Sequence, residues 1–501
     1  MRVVNGLLSA LFAAGGLASQ VHYHEDGRPW SQRAASGPDK VVDGWFYNLG
    51  VTGIRVELIP DAPTHLVVRH VFTGSPAAAK KVAVGDHIVG AGGWGFFEAH
   101  RNGYGMKVFG PYGPIYDFAQ ALEKALGSKG KQRGRLALTL ERDGSKREVV
   151  LKLPAKHGNY AKTFPANCKK TDALREDLLD WLLDQQRDDG AFGSPPDNLF
   201  APLAMLSSGK AKYKKAVERA AKFHARTTTP KGHGSLINWT YTSAGIFLSE
   251  YYLATKASWV LPELQEVYDF LIHSQYTDRS QINPKAYESH PDAVPRKPGQ
   301  SEGGWGHNPG FEGYGPIAMI TGQGALALAL MKRCGIDVDE ERAEAAYAFL
   351  ARGTGNNGYV WYGDSVANHN NYADMGRTGA AGVACLMSPW RGDYQQRARK
   401  HAECIGAHPD SFPDTHGSPT MGMAWAALAA NADPASFRKL MDANRWWFTL
   451  SRCSDDGTFY YQPNRDNAGY GGDSRKKPSA VVALIFSIPE RNLAITGKPY
   501  R

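Results

Sequence analysis

From Thr171 onward the chain repeats one unit: a helix-length stretch, a glycine loop and a second helix-length stretch. In the first copy Asp172 to Arg187 carries Leu174, Leu178, Trp181 and Leu182 at helical spacing. Asp188-Asp189-Gly190-Ala191-Phe192-Gly193 ends it, and the apolar run Leu199 to Leu206 follows. The unit recurs as Tyr213 to Thr227 with Trp239 to Leu253, and as Leu261 to Gln275 with Ile317 to Met331. It continues as Glu340 to Ala351 with Gly376 to Met387, Tyr394 to Ile405 with Met421 to Ala430, and Phe437 to Ser451 with Ser479 to Ser487. The first helix of each pair is amphipathic, which suits an outer layer. The second is dominated by Ala, Gly, Leu and Met, which suits a crowded inner layer. Such units bury their apolar faces only by stacking. The six pairs are expected to close into an (α/α)6 toroid, leaving no end pair unstacked.

The loops carry a resemblance. Gln185-Gln186-Arg187-Asp188-Asp189-Gly190-Ala191-Phe192-Gly193, Glu302-Gly303-Gly304-Trp305-Gly306 and Ser454-Asp455-Asp456-Gly457-Thr458-Phe459 resemble the loops of the terpene cyclase and protein prenyltransferase superfamily. The resemblance implies structural staples: Gln caps a helix end, and Phe192, Trp305 and Phe459 pack beneath the turns. It does not extend to the chemistry. Asp337-Val338-Asp339-Glu340 is the nearest acidic cluster, and it opens an outer helix, where acids complement the macrodipole. Cys385 and Cys404 lack the Asp that a prenyltransferase zinc site would place two residues before them.

Residues 44–154 read as a small β-rich module. Ile54 to Leu58 and Leu66 to Val71 have strand spacing, Ile115 to Leu126 is amphipathic, and Asp143-Gly144 marks a hairpin. The segments Asn48 to Leu58 (NLGVTGIRVEL) and Gly74 to Gly93 (GSPAAAKKVAVGDHIVGAGG) closely resemble a PDZ domain. The resemblance implies that Leu49, Gly50, Val51 and Gly53 form the loop receiving the C-terminus of a peptide or protein, which then adds as a strand. A Gly- and aromatic-rich insertion, Trp94 to Gly113, departs from the family. A PDZ domain before such a ring resembles a group of exported bacterial proteins of unassigned function. No G-x-S-x-G supports a protease.

The expected organisation is therefore multidomain: a signal peptide over 1–18, a PDZ domain over 44–154 and an all-α toroid over 171–490. Arg2, the apolar stretch Leu7 to Leu17, and Gly16 and Ala18 before Ser19 fit a cleaved signal peptide, implying a secreted or periplasmic protein. Later segments lack the apolar length of a membrane span. The formal charge of +9 favours anionic partners, but nucleic acid is not expected of an exported chain without a recognition motif. The five cysteines lack C-x-x-C spacing and read as buried small hydrophobes.

Two sets of residues could carry chemistry in the ring. Asn368, His369, Tyr372 and Arg377 stand just before an inner helix and loosely resemble the Asn-His segment of alginate-type lyases. Such enzymes neutralise a uronate with Asn or Arg and remove a sugar proton with His or Tyr. His233, His307 and Asn308, in loops of other repeats, could share that cleft, as could Trp305 and Trp361. His408, Asp410, Asp414 and His416 read as a turn-rich loop among prolines rather than a metal site. No cofactor is indicated. The main reading is a binding or scaffold protein with a peptide groove and a ring cleft. The alternative is a glycan-active enzyme, such as a polysaccharide lyase acting on acidic sugars.

Overall fold

A computed structural model describes residues 45–59, 61–100, 112–367, 372, 374–413, 420–459, 462 and 475–499. The signal peptide, most of the insertion's second half, Asn368, His369, Asp414 and His416 lie outside the described residues.

The N-terminal part is an antiparallel sheet with one long helix. Its strands are β1 (Trp45–Asn48), β2 (Ile54–Leu58), β3 (Leu66–Val71), β4 (His87–Ala91), β5 (Trp94–Gly95), β6 (Arg135–Arg142) and β7 (Ser145–Lys152). They pair in the order β1-β2-β3-β4-β6-β7, with β5 on β4. Helix α1 (Pro114–Gly127) lays Ile115, Phe118, Leu122 and Leu126 on the sheet.

The rest of the described chain is a ring. Its inner helices are α3 (Pro195–Ser207), α5 (Ile237–Thr255), α8 (Ala318–Cys334), α10 (Met375–Met387), α12 (Met421–Ala430) and α15 (Lys476–Ser487). Each touches the next, and α15 returns to α3. The outer helices are α2 (Lys169–Asp184), α4 (Lys214–Thr227), α6 (Val260–Ser274), α9 (Glu340–Arg352), α11 (Tyr394–Ala407) and α13 (Pro434–Ala443). The last is continued by α14 (Arg445–Leu450) after a break at Asn444. Inner helices are buried around most of their circumference, as their Ala, Gly and Leu content requires.

The loops staple neighbouring pairs. Gln186 donates to the carbonyls of Gly190 (2.9 Å) and Ala216 (2.8 Å), and Gln275 to those of Gly303 (2.7 Å) and Arg342 (3.0 Å). Phe192, Trp305 and Phe459 are fully buried beneath these turns. Burying each contributes roughly 2–3 kcal/mol. Gly303 has φ +87°, and a Cβ there would stand 2.1 Å from the Ala345 carbonyl oxygen of the next outer helix. Asp339 caps α9, accepting from the amides of Glu341 and Arg342, so that acidic cluster is structural. All five cysteines are buried and unbridged.

Sheet and ring share one hydrophobic core. Glu123 of α1 accepts from the Tyr160 amide (2.9 Å), the Thr449 hydroxyl (3.1 Å) and the ammonium of buried Lys170. Asn48 and Gln462 exchange two hydrogen bonds of 3.1 Å. A buried charge so placed is stable only because its partners are fixed.

This docking corrects the peptide-groove expectation. Leu49, Gly50 and Val51 are buried, and a Cβ on Gly50 would lie 2.6 Å from the Thr449 carbonyl oxygen. Gly53 lies against Ser75 and Ser454. Strand β2 is paired along both edges, with β1 in register from Trp45↔Leu58 to Asn48↔Arg55 and with β3 on the other side. The edge that would accept a peptide strand is held by the chain's own β1.

Candidate functional site

Between α6 and α8 the chain makes a long excursion over residues 275–317. It carries the short α7 (Lys285–Ser289) and its own apolar cluster, Tyr276, Ile282, Ala286, Val294 and Phe311. The excursion delivers His307 and Tyr314 to the ring end where the inner helices begin.

A cavity of about 360 Å³ opens at that end. All six inner helices reach it by their first turns: Pro195 of α3, Trp239 of α5, Met319 of α8, Arg377 of α10, Met421 of α12 and Lys477 of α15. Its volume is typical of small-molecule sites, about 300–1,000 Å³. Helix N-termini carry unpaired amides and a positive dipole end, so six of them make the region favourable for negative charge. A larger cavity of about 570 Å³ lies at the opposite ends of α3 and α5. Of its lysines, Lys210 and Lys214 are exposed, and Lys210 already pairs with Glu176.

A hydrogen-bonded chain crosses the wall. The Trp239 indole N–H donates to His307 Nδ1 at 2.8 Å. A neutral imidazole that accepts at Nδ1 carries its proton on Nε2, and His307 Nε2 meets the Tyr314 hydroxyl. The Tyr362 phenol also hydrogen-bonds to Tyr314, and burial together with that bond holds the Tyr362 proton on well above the ordinary range. The Tyr314 oxygen therefore receives two donors. Tyr314 is 37% exposed and lines the cavity, so its oxygen is presented to whatever the cavity holds.

The charged groups sit deeper. Arg377 is buried and donates to the Tyr359 hydroxyl at 2.9 Å, with its Nε 4.0 Å from Asp374 Oδ2. Its guanidinium lies 5.6 Å from the Tyr362 ring centroid. Asp374 is 2% exposed, and its Oδ1 has no hydrogen-bond partner among the described residues. Lys477 is 8% exposed, and the Asp197 carboxylate acts on its ammonium.

Of the expected tetrad, Arg377 lines the cavity. Tyr372 does not; it accepts from Asn357 at 3.0 Å and stacks on His408 with centroids 3.4 Å apart. Among the expected cleft residues only His307 is in place. His233 is exposed and off the wall. Trp305 is buried below, donating to the Leu271 carbonyl at 2.8 Å, and Trp361 is buried outside the lining. The wall residues missing from the sequence reading are Trp239, Tyr314, Tyr362 and Lys477. Trp239 and Lys477 lie in the first turn of an inner helix and Tyr314 just before one, whereas Tyr362 stands in the loop after α9, well ahead of α10.

Cys453, Asp455 and Asp456 also bring potential metal ligands within 4.8 Å of one another. Arg475 takes both carboxylates, at 2.9 and 2.7 Å, so the charge there is already compensated. Among the described residues no helix is long and apolar enough to cross a membrane.

The fold is similar to several solved sugar-active proteins. The GH76A α-1,6-mannanase of Salegentibacter sp. HEL1_6 matches with a TM-score of 0.47 at 13% identity, over 64% of this chain and 99% of that one. A family 88 glycosyl hydrolase from Bacteroides vulgatus matches with 0.43 at 12%, over 64% and 99%. Cellobiose 2-epimerase from Bacillus thermoamylovorans B4167 matches with 0.42 at 13%, over 63% and 98%. At such identities nothing about activity transfers. No curated protein matches the chain by sequence. The profile of the Domain of unknown function (DUF6288) matches residues 171–497, nearly the whole ring, and the chain belongs to that family.

Proposed function

We propose that the toroid is a glycan-active enzyme that breaks acidic polysaccharides by elimination in the cavity at the inner-helix N-termini. The observation that carries this reading is the Tyr314 oxygen, which faces the cavity while receiving His307 and Tyr362. Two donors fix that oxygen in place at the cavity wall, where a proton-accepting group has to stand. Tyr314 would take the proton from the sugar carbon beside the carboxyl group. The electron pair of that C–H bond forms a C=C bond, the neighbouring C–O bond to the next sugar breaks, and the leaving oxygen takes the proton back from Tyr314. Trp239 and Tyr362 offer aromatic faces for the sugar ring.

Hydrolysis needs two carboxyl groups across the scissile bond. Among the described lining residues Asp374 is the only acid. The scaffold reading loses its main support, because β1 fills the edge of β2 where a peptide would add. Export to a compartment that holds polysaccharides, as expected from residues 1–18, suits the same reading.

The test is incubation with a panel of acidic and neutral polysaccharides, following both the ultraviolet absorbance of unsaturated ends and the number of new reducing ends. Elimination gives both signals in equal number. Reducing ends without absorbance would mean hydrolysis and would sink the mechanism.

A further inference from the structure

Two charged groups of opposite sign line the cavity with capacity to spare. Asp374 Oδ1 is buried with no donor among the described residues, and Lys477 is 8% exposed, with Asp197 as the carboxylate acting on its ammonium. Both residues line the cavity. A buried polar atom without a partner costs about 1–3 kcal/mol, and more when charged. The cost is recovered when a ligand brings the missing partner. Arg377, the other cation on the wall, already has Asp374 and Tyr359 beside it.

Lys477 also stands among apolar neighbours, including Pro195, Pro196 and Met421. Burial pushes its ammonium down from the ordinary range, and Asp197 opposes that loss. One Asp197 oxygen is committed to the Ser194 amide (2.9 Å) and hydroxyl (2.6 Å). Lys477 projects from the first turn of α15, so its charge adds to the positive end of that helix and its neighbours.

We propose that Lys477, rather than Arg377, is the specificity-determining cation of the cavity: it pairs with the carboxylate of a uronic acid while Asp374 accepts a hydroxyl of the same or the adjoining sugar. Asp374 rejects an anion and Lys477 demands one, so the pair orients the sugar end to end. Arg377 holds Asp374 and Tyr359 in place. This assignment rests on the glycan reading of the cavity, but not on the elimination step.

The experiment is calorimetric titration with trisaccharides of mannuronate, galacturonate and glucuronate, each beside its carboxyl-reduced neutral counterpart. Wild type is expected to bind at least one acidic trisaccharide about tenfold or more tightly than its counterpart. Lys477→Met should bring the two affinities together, Lys477→Arg should keep most of the preference, and Tyr314→Phe should keep it fully while losing turnover. Unchanged preference in a Lys477→Met protein that melts like wild type would overturn the assignment. So would the absence of any acidic preference in wild type. A preference that depends on Lys477, with no unsaturated product from any polymer, would retire the elimination mechanism and leave the anion site standing.

Discussion

The indole of Trp239 donates to Nδ1 of His307 at 2.8 Å, and this single bond sets the direction of the whole wall network. With Nδ1 occupied as an acceptor, the imidazole is neutral and can only donate from Nε2, toward Tyr314. In nitrogen-correlated NMR, His307 should appear as the Nε2–H tautomer in wild type and as a mixture in Trp239→Phe. The same variant should lose about tenfold or more in turnover, because Tyr314 is then no longer reliably supplied with a donor. A pure Nδ1–H form in wild type would contradict the assignment.

Docking of the sheet onto the ring is predicted to be sensitive at Gly50. Its φ is +60°, and an added Cβ would meet the Thr449 backbone oxygen at 2.6 Å. Gly50→Ala should destabilise the protein by about 2–4 kcal/mol, combining positive-φ strain with a clash that backbone cannot relieve cheaply. Gly74→Ala is the comparison: φ is +76° but nothing lies within 4 Å, so about 1 kcal/mol is expected. Denaturant melts of the two variants check the difference.

Stability should fall in mild acid because of two buried histidines. His224 donates from Nε2 to the Asn198 carbonyl at 3.0 Å, and His401 from Nδ1 to the Gly358 carbonyl at 2.7 Å. Burial holds each down to about 4. An unfolded histidine titrates near 6.5, at about its ordinary value. Between these values the unfolded chain binds protons that the folded chain refuses, so stability drops as the pH falls and is indifferent above about 7. By pH 5 each site should have removed up to about 2 kcal/mol. His224→Gln and His401→Gln should each flatten the acid limb of a melting-temperature profile.

Trp305 is predicted to matter for folding and not for turnover. It is fully buried, with its N–H on the Leu271 carbonyl. Trp305→Ala should cost about 3–5 kcal/mol. Trp305→Phe should cost about 1–2 kcal/mol through the lost hydrogen bond, yet retain wild-type turnover per folded molecule. A large loss of turnover in a well-folded Trp305→Phe would return that residue to the cleft.

The ring was legible because period and composition act locally: Leu174, Leu178 and Leu182 mark the buried face of an outer helix, and the run Met421 to Ala430 marks an inner helix, whatever lies elsewhere in the chain. The staples were legible for the same reason, since Gln186 reaches Gly190 within one loop. The cavity was not. Its members come from Pro195, Trp239, Tyr314, Asp374 and Lys477, and only closure of the ring brings them together. Tyr314 hides in a long irregular excursion, and Lys477 looks like any lysine opening a helix. The peptide groove failed differently: the local motif from Leu49 to Gly53 is present, but its exposure depends on Thr449 and Leu450, some four hundred residues away.

The most direct test of the account is the rate at which unsaturated ends appear when wild type and Tyr314→Phe act on one acidic polymer from the panel. Absorbance should rise with wild type, and at a rate about a hundredfold or more lower with a Tyr314→Phe protein that folds and binds normally. Equal rates in the two proteins, or no unsaturated product from wild type on any polymer, would contradict it.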